Sequence, residues 1–201
     1  MTKFILIAIS GGSASGKTTV AKKLAALMGN EAAVLEMDSY YKDLSHLSQK
    51  EREAVNFDHP KAMDLALFKK HLKALKSGKT IEKPVYDFHA HKLEERVVRF
   101  AAKPVIIAEG LFILMDEFKE EFSYRVFIDT PEEVRLKRRI ERDVKERGRD
   151  RDSAFKQYHL TVKPMFEEYI APTKKNADVV VSWENEDLKV LEKIIKCIKE
   201  L

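Results

Sequence analysis

The chain has 201 residues, of which 44% are hydrophobic and 35% charged, enough to bury a full core; one α/β domain spanning 1–201 is expected. No apolar stretch reaches the roughly 20 residues of a membrane span, and Met1–Ile9 lacks the long apolar region and cleavage site of a signal peptide, so neither membrane insertion nor export is expected and the cytoplasm is the expected location. The single Cys197 excludes an intramolecular disulfide, and a net charge of +4 permits a nucleic-acid partner without demanding one.

Phe4–Ile9 reads as a buried parallel strand, and Val20, Ala21, Leu24, Ala25, Leu27 and Met28 carry the spacing of a helix packed on a sheet. Between them Gly11, Gly12, Ser13, Ala14, Ser15, Gly16, Lys17, Thr18 and Thr19 match the G-x-x-x-x-G-K-T spacing of a phosphate-binding loop. Glycines let backbone N–H groups turn inward around a polyphosphate, and the following helix aims its positive end at the same anion. Lys17 can reach the β- and γ-phosphates and Thr18 can place a hydroxyl on Mg²⁺.

Ala32–Met37 reads as a second strand ending at Asp38. Acids at the carboxyl ends of such strands face the ligand crevice, making Asp38 a candidate general base for an attacking hydroxyl; an N-cap or Asx-turn role is the alternative. Residues 42–60 are polar and turn-like and end in Asn56-Phe-Asp-His-Pro60. Asp64–Ser77 is expected as a helix with Leu65, Phe68, Leu72 and Leu75 as its buried stripe and Gly78 as its stop. Thr80–Tyr86 and Arg96–Phe100, joined by Asp87–Glu95, suggest a hairpin insertion over about 80–100, with Tyr86, Phe88, His89 and His91 on a flexible connection. A zinc site at the histidine pair is not expected, because no third ligand accompanies it.

Pro104–Gly110 is a third strand ending in Glu109, a candidate for holding the metal's water shell. Tyr124–Asp129 is a fourth strand. Thr130-Pro-Glu-Glu133 then predicts a helix start with Thr130 as N-cap, Pro131 at the first helical position and Glu133 closing a capping box. Arg135, Arg138, Arg139 and Arg142 share one face of that helix, and Glu146-Arg-Gly-Arg-Asp-Arg-Asp152 follows, so an arginine-rich lid is expected over about 142–152 that closes on phosphates and excludes water. A helix over 153–169, bent near Pro164, a fifth strand over 177–182 and a final amphipathic helix complete the pattern. The architecture expected is a P-loop-type five-stranded parallel sheet flanked by helices.

This ordered set of Ser10–Thr18, Asp38-Ser-Tyr-Tyr41, Asn56–Pro60, Pro84-Val-Tyr-Asp-Phe88, Glu146–Asp150 and Pro172-Thr-Lys-Lys175 resembles the uridine kinase (uridine-cytidine kinase) family over about Ile5–Asp178. The resemblance implies transfer of the γ-phosphoryl group of ATP or GTP to the 5′-hydroxyl of uridine or cytidine, giving UMP or CMP in pyrimidine salvage. It implies Asp38 as base, with Lys17 and Arg142 assisting transfer, and Thr18 and Glu109 serving Mg²⁺. Asp58 and Arg149 would hold the ribose hydroxyls. Tyr86 and His91 would line the base pocket, framed by Phe57 and Phe88. Arg139 and Arg147 would serve the phosphates and Gln157 the nucleoside. His91 can donate to O4 of uridine or accept from the 4-amino group of cytidine. The resemblance further implies a homo-oligomer, often a tetramer, with feedback by CTP or UTP. Where relatives carry a Pro-Arg-Gly type loop, this chain has Ser182-Trp-Glu-Asn-Glu186, which leaves the donor base open. Two rival readings are a kinase for another small alcohol and an NTP-driven switch gripping nucleic acid; the aromatic grouping and the strand-end Asp38 speak against them.

Overall fold

The computed structural model describes residues 4–184 and 187–201, apart from the side chains of Glu53, Glu146 and Arg147. Strands β1 (Ile5–Gly11), β2 (Ala32–Glu36), β5 (Val105–Glu109), β6 (Tyr124–Ile128) and β7 (Val179–Val181) form one parallel sheet in the order β2-β5-β1-β6-β7. Its register sets Ile9 opposite Glu109, Glu36 opposite Glu109, and Gly11 opposite Ile128. The glycine loop and the acidic strand ends therefore meet at one edge of the sheet, outside its carboxyl ends.

Alternation along β1 builds two cores. Ile7 and Ile9 pack with Val20, Ala21 and Leu24 of α1 (Lys17–Met28) and with Leu191, Ile194 and Ile198 of α7 (Leu188–Lys199). Leu6 and Ala8 face Phe68, Leu72 and Leu75 of α3 (Leu65–Lys76). Asp64 caps α3 by accepting from the Leu67 N–H at 2.9 Å. Leu65 is only half-buried, and His71 takes a place in the buried stripe instead. Within the polar stretch 42–60 lies a short helix, α2 (Gln49–Glu53), opened by a complete Ser48–Glu51 capping box.

The hairpin spans the expected residues, with longer strands and a shorter connection than its sequence suggests. β3 (Ile81–Asp87) pairs antiparallel with β4 (Lys92–Phe100), with a bulge between Pro84 and Tyr86. The connection is not a flexible segment: the Asp87 carboxylate accepts from the N–H groups of His89 (2.8 Å) and Ala90 (3.0 Å), and His91 closes the turn at φ +51°. This is an Asx-turn, which rigidifies a four-residue link.

The start of α4 (Glu132–Arg147) overturns the expected cap. Pro131 occupies the cap position, no side chain caps the helix, and the capping box is absent. Thr130 spends its hydroxyl elsewhere, donating to the Ser15 carbonyl at 2.8 Å, so a local stabilisation of about 1 kcal/mol is forgone for a long-range contact. After Gly148 in the left-handed conformation, α5 (Arg151–Gln157) starts on an Asp150 cap. The chain then runs without a break through a π-helical turn at Tyr158–Val162, one short α-turn, α6 (Lys163–Met165), and a second π-turn at Phe166–Ile170. Pro164 is accommodated between two widened turns, where its missing N–H and bulky ring are tolerated, rather than breaking the helix.

Candidate active site

The loop between β1 and α1 is shaped by space as much as by backbone freedom. Gly16 sits at φ +96°, and a Cβ there would lie 2.3 Å from Cδ1 of Trp183, which is 1% exposed. Gly12, expected to supply unusual dihedrals, has no positive φ; it is glycine because a Cβ would lie 2.6 Å from Arg135 Nη1 and 3.0 Å from Phe166 Cδ2. Ala14 adopts φ +61° instead, at a cost of about 1–2 kcal/mol for a residue with a Cβ. Lys17 is buried at the first position of α1, while Thr19 is exposed.

Thr18 Oγ1 donates to Glu109 Oε1 at 3.0 Å. Glu109 is 3% exposed and its Oε2 has no hydrogen-bond partner. Burial above all pushes its carboxyl up to about 7, with Asp38 and Glu36 adding to the effect and Lys17 and Thr18 opposing it. A buried carboxylate with one empty oxygen beside a threonine hydroxyl fits a hard divalent cation such as Mg²⁺. Among the described residues no cluster of three or more His, Cys, Asp or Glu could hold a metal, so a cation here would complete its shell with phosphate and water. Asp38 lies in the 3₁₀ turn Met37–Tyr40 that follows β2, where no side chain caps the turn, so the N-cap alternative is not realised. Two residues on, Tyr40 is hydrogen-bonded through its hydroxyl to Nδ1 of the buried His71 at 2.9 Å. Burial, then the neighbouring Lys70, lowers the His71 pKa.

Beside this acidic edge stands an aromatic box. Tyr41 lies 5.2 Å from Tyr86, 5.5 Å from Phe57 and 6.3 Å from Phe88 between ring centroids; Tyr86 and Phe88 are 5.3 Å apart, and Phe57 stacks on His91 at 4.6 Å with the rings 19° from parallel. The Tyr86 hydroxyl is buried without a partner, and burial pushes it up to about 12. Tyr41, absent from the residues expected at the site, also donates to the Phe57 carbonyl at 3.2 Å. Its signal was available, the second of two adjacent aromatics, three residues after the strand-end Asp38. Lys83, on the same hairpin, reaches Glu36 at 2.8 Å and ties the hairpin to the acidic edge.

Arg139 joins the two halves. It donates to Ser13 Oγ in the glycine loop at 2.6 Å and to the fully buried Asp143 at 2.7 Å, and its Nη1 lies 3.7 Å from Asp58 Oδ1. The four arginines expected on one face divide their work. Arg135 and Arg139 are buried against the loop, whereas Arg138 turns away and donates to the carbonyls of Trp183 (3.0 Å) and Glu184 (2.7 Å). Arg142 contacts Asp143 at 3.4 Å. Arg149 and Gln157 are hydrogen-bonded to one another, but among the described residues no hydrogen bond or ion pair joins Arg149 to Asp58. Arg147, expected at the donor phosphates, lies outside the described side chains, as do Asn185 and Glu186 of the divergent loop. No helix among the described residues is long and apolar enough to cross a membrane.

The model of the phosphoribulokinase/uridine kinase family matches residues 6–190. A uridine kinase of Clostridium novyi is 43% identical over 203 residues, covering 100% of this chain and 98% of that protein. One from Salmonella paratyphi B is 48% identical over 183 residues, 88% of this chain and 86% of that protein. Among solved structures, phosphoribulokinase from Rhodobacter spheroides superposes with a TM-score of 0.66 at 13% identity, over 90% of this chain and 71% of that one. D-glycerate 3-kinase from Cryptococcus neoformans gives 0.62 at 14% identity, over 90% and 87%. These structures share the fold; the family match and the two close relatives go further, and the chain belongs to the phosphoribulokinase/uridine kinase family.

Proposed function

We propose that this chain is a pyrimidine ribonucleoside kinase that transfers the γ-phosphoryl group of ATP or GTP to the 5′-hydroxyl of uridine and cytidine, giving UMP and CMP for pyrimidine salvage. The observation that carries this reading is the box of Tyr41, Phe57, Tyr86, Phe88 and His91 beside Asp58, joined through Arg139 to a phosphate-binding loop. On this reading the rings take the flat base, a ribose diol donates to Asp58, and the 5′-hydroxyl faces the loop and Asp38. The 5′-oxygen attacks the γ-phosphorus, its proton passes to Asp38, and the bond to the β–γ bridging oxygen breaks, releasing the nucleoside diphosphate. Backbone N–H groups of the loop, Lys17, Arg139 and Arg142 stabilise the charge on the transferring group, Arg147 and Arg149 belong to a lid over about 142–152 that excludes water, and Arg149 and Gln157 contact the ribose and the nucleoside. Mg²⁺ held by Thr18 and Glu109 would neutralise charge on the β- and γ-phosphate oxygens. His91 accommodates both bases through its two tautomers.

The same reading carries a cytoplasmic homotetramer inhibited by CTP or UTP at the nucleoside site. Sedimentation and inhibition assays against uridine check these points. The central test is transfer of labelled γ-phosphate from ATP and GTP to uridine, cytidine, thymidine and no acceptor, in wild type and Asp38→Asn. Uridine- and cytidine-dependent product that falls roughly 10²–10⁴-fold in the variant is expected. Acceptor-independent hydrolysis untouched by the substitution would sink the assignment.

A further inference from the structure

Arg135 has no part in the chemistry described above, yet it is 4% exposed and lies against the glycine loop. Its Nε donates to the Thr130 carbonyl at 3.0 Å, and Thr130 in turn donates its hydroxyl to the Ser15 carbonyl at 2.8 Å. Its Nη1 sits 2.6 Å from where a Gly12 Cβ would be and has no hydrogen-bond partner. Its guanidinium carbon lies 3.9 Å over the ring of Phe166, the first residue of the second π-turn, and Phe166 itself closes on Gly12.

Each contact bears on the loop's ability to hold an anion. A carbonyl of the loop that turned inward would repel phosphate, and Thr130 engages that of Ser15 in a hydrogen bond, at the expense of capping its own helix. A buried cation placed behind Gly12 with a spare N–H adds positive potential to the loop beside that of Lys17 and Arg139. Gly12 and the Phe166 face fix the guanidinium, and a planar, stacked guanidinium is what arginine provides and lysine does not.

We propose that Arg135 is a positioning residue of the phosphate loop: through Thr130 it fixes the loop in its anion-binding shape, and through Phe166 it links that shape to the π-bulged arm that follows the arginine-rich segment. The inference rests on the reading that this loop binds a nucleoside triphosphate. It concerns the donor polyphosphate and not the nucleoside.

The test measures Kd for a fluorescent ATP analogue and for inorganic tripolyphosphate, with Mg²⁺ and no acceptor, beside KM for uridine at saturating ATP. Arg135→Met is expected to weaken both anions about tenfold, the scale of a lost charged hydrogen bond, and to flatten the salt dependence of binding. Arg135→Lys restores only part of the affinity. Thr130→Val weakens both anions about three- to tenfold without changing the salt dependence, and Thr130→Ser recovers it. Uridine KM stays within about twofold throughout, because these side chains do not touch the aromatic box. Equal losses for nucleoside and polyphosphate, or unchanged Kd with only a lower melting temperature, would overturn the proposal. Should Arg135→Met fail to fold, the Thr130→Val and Thr130→Ser pair decides alone, equal anion affinities ruling the tether out. A wild-type chain that bound neither anion would sink the functional reading and this inference with it, whereas wild-type binding with unchanged variants removes the inference only.

Discussion

Glu109 makes the nucleotide-free chain sensitive to pH in a direction that can be worked out. Its carboxyl titrates near 7 in the folded chain against an ordinary 4.5, so the native state binds the proton more tightly, and at 1.4 kcal/mol per tenfold the difference is about 3 kcal/mol. Below pH 4.5 the group is protonated in both states and this contribution is fully present. As pH rises the unfolded chain ionises first, stability drains away through pH 7, and above that the native state buries a charge. Glu109→Gln keeps an acceptor for Thr18 but removes the titration. Urea unfolding in EDTA from pH 4 to 8.5 should show the two proteins equal within about 0.5 kcal/mol at the acid end and the variant more stable by about 3 kcal/mol at pH 8. Glu36, Asp38 and Lys17 remain in both proteins, so the difference between the two curves reports Glu109 together with its coupling to them. Mg²⁺ with ATP at about 100 times the wild-type Kd adds about 2.7 kcal/mol to wild type and less to the more weakly binding variant, so the gap at pH 8 should shrink without reversing. Parallel pH profiles in EDTA would refute the argument from burial.

Two further substitutions probe the loop and the pocket. Gly16→Ala puts a Cβ 2.3 Å from Trp183 at φ +96° and should cost about 2–4 kcal/mol, a fall of roughly 5–15 °C in Tm; in a Trp183→Leu background only the backbone part, about 1–2 kcal/mol, should remain, and an equal cost in both backgrounds contradicts the steric account. Tyr86→Phe removes a buried hydroxyl that has no partner, so the free protein should melt no lower while uridine KM rises about 2–10-fold; an unchanged KM would take that hydroxyl out of the base pocket.

The sheet was legible because its signal is local. Ile5–Gly11 and Val105–Glu109 are near-continuous apolar runs, and α1 and α7 carry the spacing of one buried face, so strand and helix types follow from periodicity. The acid-ended strands told where the crevice lies. What escaped was set by partners far along the chain. Thr130 looks like an N-cap in every local respect, and nothing within ten residues reveals that Ser15 needs its hydroxyl. Arg138 matches its neighbours in helical spacing, yet the carbonyls of Trp183 and Glu184 claim it. Gly12 looks in sequence like a glycine needed for backbone freedom, yet crowding by Arg135 and Phe166 is its reason. The Ser48–Glu51 capping box is a different kind of miss, since its four-residue pattern is local and sufficient to mark α2.

The donor and acceptor halves of this site are not independent, and Arg139 is the reason. Its bond to Ser13 is short at 2.6 Å, its bond to the fully buried Asp143 is 2.7 Å, and its approach to Asp58, at 3.7 Å, is too long for a hydrogen bond. Asp143 therefore anchors the guanidinium and Ser13 orients it, leaving Asp58 close enough to feel the charge but with its lone pairs uncommitted to it. Asp58 itself is held by its own turn, its N–H donating to Asn56 Oδ1 at 3.1 Å. On the proposed reading, a diol arriving at Asp58 would bind without displacing the arginine from the loop, and the arginine would lie between the two substrates. A cation fixed before either ligand arrives costs nothing to reorganise when charge moves toward it, which is why its buried partner Asp143, far from the reacting atoms, belongs to the working parts of the site.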